Sequence, residues 1–595
     1  MESITEVLNV HFDPLNVLIP ELPPQAFNPP LAASRYQRTR STLGRRWGIL
    51  ALVCVIMTGV YYSYDIPAAL HQQLYAFMPP STNFETHFNL LYTVYSVPNV
   101  ILPFFGGKFV DRFGASFCLV SFASLTLLGQ LLFAFGTEAK SWGIMLLGRI
   151  IYGFGGESIV VAQSTLLSSW FDGGEVAFAM GISLAVSRLG SVFNNMISPF
   201  IANSTGTIWA LFVGVAMNSF SVWSAIAVAF MDRDAEQKCT AENEAKAVLM
   251  ASLLEDDSID VIDEYARQDS KQNDTVSSEN VNDSVDETTE HVRLGGVLQF
   301  GPVFWLLALS SLVVYGCILP FNNVASGILL ERNYFRAPPK DCVLDYPEQC
   351  TLGSLQNGTN LARTLDGELC QLQYAAPLLP SSISFTQTDK SWKRSQYNYT
   401  SLRPSDVDCG DSFWSSACTK DYCSTQKQAT EKAGRIMSIP YLFSAALSPV
   451  LGKLVDKIGR RATIACFASL ILIMVHTTLA LSISSPVVPL VGQGIAYSLY
   501  AAVIWPSIPL VVDKKLTGTA FGVMLALQNV GLSLFPILIA GIYNSDGHHY
   551  IPNVEYFFVS CAVIGTGIGI ALQLVDQRRG GKLNATNSDR NERTQ

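Results

Sequence analysis

The chain has 595 residues, 49% of them hydrophobic and only 15% charged, which excludes an average soluble protein, where about 25% would carry charge. Its formal net charge of −9 is not spread over the surface. Residues 232–292 hold 18 acidic and 5 basic side chains, so the remainder is slightly basic and an acidic-surface protein is excluded too.

Residues 1–45 are polar and Pro-rich. They lack the charged start, apolar middle and small-residue cleavage site of a secretory leader, so the first apolar segment is expected to act as the insertion signal. Crossing roughly 30 Å of hydrocarbon takes about 20 mostly apolar helical residues. Twelve such segments lie near residues 47–69, 87–106, 117–136, 142–170, 176–203, 207–231, 303–328, 431–451, 462–482, 487–511, 518–543 and 553–575. The sequence thus predicts an all-α polytopic membrane protein of twelve transmembrane helices in two six-helix bundles. An N-terminal bundle, 46–231, is followed by an acidic linker, 232–300, too polar to order itself and read as disordered. Then come helix 7 (301–329), an insertion at 330–428, helices 8 to 12 (429–577) and a C-tail at 578–595.

Lys and Arg near helix ends concentrate on the cytoplasmic side. Arg35, Arg38, Arg40, Arg45 and Arg46 precede segment 1, Lys108 and Arg112 follow segment 2, and Lys453, Lys457, Arg460 and Arg461 follow segment 8. Lys514 and Lys515 follow segment 10, and Arg578 and Arg579 follow segment 12. Twelve crossings put all of these on one side, so both termini and the linker are expected in the cytosol.

The turns after segments 2 and 8 repeat each other: Gly107-Lys-Phe-Val-Asp111-Arg112-Phe-Gly114 and Gly452-Lys-Leu-Val-Asp456-Lys457-Ile-Gly459-Arg460-Arg461. Asp111, Arg112, Asp456 and Lys457 are candidate gating residues, since paired charges there latch one face of a transporter. The pattern resembles the loop motif of the major facilitator superfamily.

In segment 1, Asp65 follows Tyr61, Tyr62 and Tyr64 and is either a cation-attracting group or a helix-end cap. Ionisable side chains inside a membrane are costly and mark pairing or substrate residues. Glu157 in segment 4 and Arg188 in segment 5 each lie 15 or 16 residues from the turn at Asp172-Gly173, so both sit roughly 23 Å above it at about 1.5 Å per residue. A carboxylate and a guanidinium at one depth suit the ammonium and carboxylate of a zwitterion; a permanent ion pair is the alternative. Asn195, seven residues past Arg188, shares its face and either lines the cavity or joins helices. Arg149 resembles the arginine many facilitator transporters carry in helix 4. His476 in segment 9 is read as a packing residue ahead of a proton relay.

The insertion carries Cys342, Cys350, Cys370, Cys409, Cys418 and Cys423, an even set that reads as up to three disulfides in an oxidising lumen, with fifteen possible pairings. It also carries the acceptors Asn357 and Asn398 in Asn-Gly-Thr and Asn-Tyr-Thr, which suits glycosylation on the non-cytosolic side. The tripeptides at Asn273, Asn282 and Asn584 are discounted as cytosolic, and Asn203 as too near the membrane. Among nucleotide, metal and nucleophile motifs, no G-x-x-x-x-G-K-[ST] loop, metal-ligand cluster or triad is found, so an ATP-driven pump, a cofactor, a metal and an enzyme are not expected.

Six stretches carry a narrower resemblance. They are Tyr64-Asp-Ile-Pro-Ala-Ala-Leu70; Leu91-Tyr-Thr-Val-Tyr-Ser-Val-Pro-Asn99 with Phe104-Phe-Gly-Gly107; Gly153-Phe-Gly-Gly-Glu157-Ser-Ile-Val-Val-Ala-Gln163; Ser187-Arg188-Leu-Gly-Ser191; Trp505-Pro506; and Gly518-Thr-Ala-Phe-Gly522 with Gln528-Asn529. Together they resemble the lysosomal dipeptide transporters of the superfamily. The resemblance implies a uniporter exporting dipeptides from the lysosome lumen, cationic side chains favoured, with substrate on Glu157 and Arg188. It implies a lysosomal or endosomal membrane location, with the plasma membrane as alternative, and a glycosylated single-span accessory protein that the long insertion shields or replaces. Membrane lipid surrounds the chain, a homodimer is an open option, and Leu18-Ile19 only loosely matches a dileucine sorting signal. Proton-coupled transport of another small anion or zwitterion, and a non-transporting nutrient receptor, are the competing functions.

Overall fold

The computed structural model describes residues 43–79, 83–171, 173–265, 300–337, 419–512 and 516–585, with residues 349–351, 376–379, 382–384, 404, 407, 409 and 414 between them. The N-tail to residue 42, the linker from 266 to 299, Cys342, Cys370, Cys418, Asn357, Asn398, Lys514, Lys515 and the last ten residues lie outside the described residues, as do the side chains of Asp111, Asp456 and Cys350.

Nine described helices are long and apolar enough to cross a membrane. They are α1 (Leu43–Tyr64), α6 (Ala115–Glu138), α7 (Trp142–Trp170), α9 (Thr207–Tyr265), α10 (Pro302–Leu329), α12 (Arg461–Leu481), α13 (Val487–Val511), α14 (Thr517–Ser545) and α15 (Asn553–Arg578). Three further passages complete the two sets of six. One is broken: α4 (Phe84–Ser96) runs through a 3-10 turn at Pro98–Val100 into α5 (Pro103–Phe113). Pro98 and Pro103 lack the amide hydrogen a continuous ladder needs. The others, α8 (Gly173–Thr205) and α11 (Lys420–Ile458), are long enough but carry polar residues that face the other half of the molecule. Short helices α2 (Ile66–Ala69) and α3 (His71–Phe77) join the first passage to the second.

Two departures from the sequence reading stand out. The stretch 232–265, read as disordered linker, continues α9 to Tyr265, because it is rich in Ala and Glu, strong helix formers, and because Lys238 pairs with Asp234 one turn away at 2.9 Å. The insertion is not wholly helix or loop: β1 (Gln349–Thr351) and β2 (Ser382–Ser384) pair in parallel.

Helices alternate between two faces. The terminal face bears Arg45, Asp234, Ile458 and Arg578; the insertion face bears Phe77, Asn203, Lys420 and Tyr550. On the terminal face Arg45 and Lys238 both donate to Asp234, and Asp232 accepts from Ser116 at 2.5 Å and from Trp170 at 2.9 Å. The repeated turns share one backbone device, since Gly114 and Gly459 hold φ at +85° and +69°, a region only glycine enters freely. Residues 583 and 584 fold back on the second turn, where Arg460 and Arg461 amides donate to the carbonyls of Asn584 and Leu583.

Packing between α6 and α7 is set by two glycines. A methyl at Gly129 would meet the Tyr152 amide nitrogen at 2.5 Å, and one at Gly148 would meet the Gly129 carbonyl at 2.7 Å, so the two backbones touch as small residues allow in membranes. In the other half the buried Arg332 of the π-turn after α10 donates to the carbonyls of Leu479 and Ser484 at 2.9 and 3.0 Å, satisfying groups at the C-terminus of α12. Forcing Leu into Gly148 is expected to cost about 1–3 kcal/mol. Gly148→Leu in detergent should therefore melt several degrees below the parent, and an unchanged melting temperature would contradict the backbone contact.

Candidate functional site

The two halves meet along two helix pairs, α8 with α11 and α4 with α14, and the charged candidates lie where these pairs enclose the centre. Arg188, 2% exposed, points from α8 across the seam. Its guanidinium donates to Ser444 Oγ and, at 2.8 Å, to Ser448 Oγ on α11, and stacks 4.2 Å from the ring centre of Tyr497 on α13. Its Nε has no protein partner. Serines one turn apart present two acceptors on one helical face, and an aromatic face attracts a cation where water is scarce.

Glu157 is half-buried on α7 and accepts from the Tyr95 hydroxyl at 3.4 Å. No ion pair joins Glu157 and Arg188 among the described residues; each charge has partners of its own. Tyr61 of α1 is in electrostatic reach of Glu157, Arg188, Asp65 and Tyr497. A half-buried carboxylate and a buried guanidinium thus stand without neutralising each other.

Asp65 lies on the insertion-face side of the centre. It is 2% exposed, accepts from the Tyr441 hydroxyl of α11 at 3.3 Å and keeps Oδ2 unpartnered. It stands at the start of α2 but makes no side-chain cap bond there. Asn195 is buried one turn past Ser191; its Oδ1 accepts from Asn194 at 3.3 Å and its Nδ2 is unpartnered. Arg149 is fully buried, donates to the Tyr64 carbonyl at 3.2 Å and lies 5.2–5.5 Å from the rings of Tyr64, Tyr92, Tyr95 and Tyr152.

His476 is elsewhere, inside the second half. Its Nδ1 shares a hydrogen bond with Glu555 at 2.8 Å, both side chains having no exposure, and its ring stacks on Phe558. Arg112 and Lys457 are exposed on the terminal face. Of the insertion cysteines, Cys409 and Cys423 are joined by a disulfide with Cα atoms 5.1 Å apart, beside the buried Trp414.

Tyr95, Tyr441, Ser444, Ser448 and Tyr497 belong to the site and were not reached from sequence. Ser444 and Ser448 carry an i, i+4 polar signal on a helix otherwise apolar at that depth; the tyrosines carry none, because aromatic residues are common in any membrane helix.

From the depth of Arg188 to the insertion face the seam is closed. Asn203 Nδ2 donates to Lys427 O, Thr430 Oγ1 and Glu431 Oε1 at 3.1, 3.2 and 3.2 Å, which also occupies a side chain already discounted as a glycan acceptor. His71, paired with Glu85 at 2.6 Å, meets the Tyr550 hydroxyl at 3.3 Å, and Asn544 donates to Thr86. A cavity of about 360 Å³ lined by Gln73, Asn203, Trp209, Lys427 and Thr430 lies outside this closure. Gly434 makes the closure possible: a Cβ there would stand 2.2 Å from the Asn195 carbonyl and 3.3 Å from Pro199. Gly434→Val should hold the seam apart, so labelling of a Thr430→Cys reporter by an impermeant maleimide should rise roughly tenfold over the parent. Unchanged labelling would contradict this role.

Comparison with known proteins places this geometry. The model of the Major Facilitator Superfamily matches residues 49–330 and 418–593, the two stretches that flank the insertion. The chain is 26% identical to the Lysosomal dipeptide transporter MFSD1 of Homo sapiens over 93% of its length and 91% of that protein. It is likewise 26% identical to the same-named protein of Bos taurus, over 95% and 93%. A shorter similarity, 32% over 121 residues and 20% of this chain, links it to Probable anion transporter 3, chloroplastic, of Arabidopsis thaliana.

Proposed function

The chain belongs to the Major Facilitator Superfamily and is a multi-pass membrane transporter, and we propose that it carries dipeptides out of the lysosome lumen by alternating access. The observation that carries this reading is the unpaired arrangement of Glu157 and Arg188 at the meeting point of the halves. A dipeptide has an ammonium and a carboxylate separated by a short backbone; Glu157 takes the first and Arg188 the second, which it holds by displacing Ser444 and Ser448. Asp65, with Oδ2 unpartnered, and Asn195 then face the substrate side chain, and an acid there favours cationic ones. The relatives, lysosomal dipeptide transporters by name, support the same substrate class and compartment.

Closure on the insertion face describes a state shut toward that side, and we take the terminal face as cytosolic. Rocking of the halves around the fixed centre opens the Asn203 seam and loads substrate from the lumen, while Asp111, Arg112, Asp456 and Lys457 latch the cytosolic ends. Uniport is the simpler coupling, because the one membrane-buried histidine at a described helix centre, His476, is held by Glu555 away from the site. On this topology Asn357 and Asn398 are luminal glycan acceptors, and the insertion shields the transporter on that side.

Flux of a dipeptide panel into liposomes tests the assignment. Losing a two-pronged charge-assisted contact should lower kcat/KM of Arg188→Ala roughly 100-fold, with Arg188→Lys intermediate because an ammonium cannot fork. Equal flux in Arg188→Ala, or none in the parent, would refute the reading. Collapsing the pH gradient should leave net flux along the substrate gradient unchanged, whereas a proton-coupled carrier would slow.

A further inference from the structure

Glu157 owes its place to a residue on another helix. Where α4 ends, the chain breaks at Pro98 and the last turn presses onto α7. There Asn99, fully buried, donates from one Nδ2 to Tyr95 O at 2.9 Å and to Gly153 O at 3.1 Å, bolting the two backbones together. Two glycines of Gly153-Phe-Gly-Gly156-Glu157 make room for Tyr95, Gly153 for its backbone and Gly156 for its phenol. A Cβ at Gly153 would meet Tyr95 O at 2.3 Å, and one at Gly156 would meet the Tyr95 hydroxyl at 2.7 Å. Gly153 therefore lets the Tyr95 backbone lie against α7, Gly156 leaves space for the end of its ring, and its hydroxyl donates to Glu157 Oε1, 3.4 Å away.

The ring is fixed as well. Tyr95 is 4% exposed, meets Tyr64 edge-on at 4.9 Å and has the Arg149 guanidinium 5.4 Å from its centre. A cation over a phenol strengthens its hydroxyl as a donor through polarisation. It does so without bringing that cation to the carboxylate, which would cancel the charge.

Resting on the reading of Glu157 as the ammonium ligand, we propose that Tyr95 is the positioning residue of the ammonium subsite, orienting the Glu157 carboxylate toward the substrate amino group from a seat built by Gly153 and Gly156. A neutral donor is the chemistry this task requires: it selects one rotamer of a flexible side chain and leaves its negative charge for the ligand. The proton stays on the phenol throughout.

The test compares dipeptides with free and N-acetylated amino ends in proteoliposomes. Tyr95→Phe should raise KM for the free-amine peptide roughly tenfold, keep kcat within about twofold and leave inhibition by the N-acetylated peptide unchanged. Gly156→Ala, which keeps the phenol but displaces it, should act in the same way and serves if Tyr95→Phe does not fold. Glu157→Gln should abolish the preference for a free amine, and Tyr95→Phe added to it should cost nothing more, as expected of residues acting through one group. Tyr95 is ruled out if Tyr95→Phe and Gly156→Ala leave KM unchanged, if they weaken free and acetylated peptides alike, or if their effect adds to that of Glu157→Gln. Retention of the free-amine preference in Glu157→Gln would instead overturn the ammonium reading itself, and this proposal with it.

Discussion

A charge inside a hydrocarbon slab must be solvated by the protein that carries it, and the centre of this molecule is organised by that requirement. Arg188 cannot be satisfied within its own half. Its donors reach Ser444 and Ser448 and its plane lies on Tyr497, all from the second half. Asp65 takes its hydroxyl from Tyr441, again across the seam. The halves are thus held together at mid-depth by the contacts of Arg188 and Asp65, and at the insertion face by hydrogen bonds around Asn203, one of them to the Glu431 carboxylate. A carrier needs this division: the first set must be exchanged for substrate, while the second must break for reloading.

Arg149 shows the other solution to the same problem. It has one carbonyl and a surround of tyrosine faces, all from its own half, so it stays solvated whichever way the halves rock. Partners drawn from one half fit a constant electrostatic background in place of a moving part. The His476–Glu555 pair is an equivalent closed unit in the second half, joining α12 to α15.

Much of this was legible in the sequence. Apolar run length located the twelve passages, because the hydrocarbon thickness imposes a length that any spanning helix must meet. Depth counting assigned Glu157 and Arg188 one height, since a helix converts residue number directly into height. What stayed hidden depends on rotation about helix axes and on partners in the other half. Whether the two charges pair with each other or with Tyr95 and Ser448 cannot be read from their depth. The break at Pro98 was visible as a residue but not as the clamp through Asn99, which needs Gly153 beside it. The extension of α9 was obscured because an acidic, Ser-rich composition suggests disorder over the whole of 232–300, although its first third is made of strong helix formers.

The disulfide between Cys409 and Cys423 ties the insertion to the first turn of α11, the same helix that carries Gly434, Ser438 and Ser444. That helix has to tilt when the insertion face opens, so the extramembrane segment rides on it as a lever rides on its pivot. Any load applied outside the bilayer, whether a bound protein, a glycan crowd or a neighbouring copy, then acts on the seam through a covalent arm.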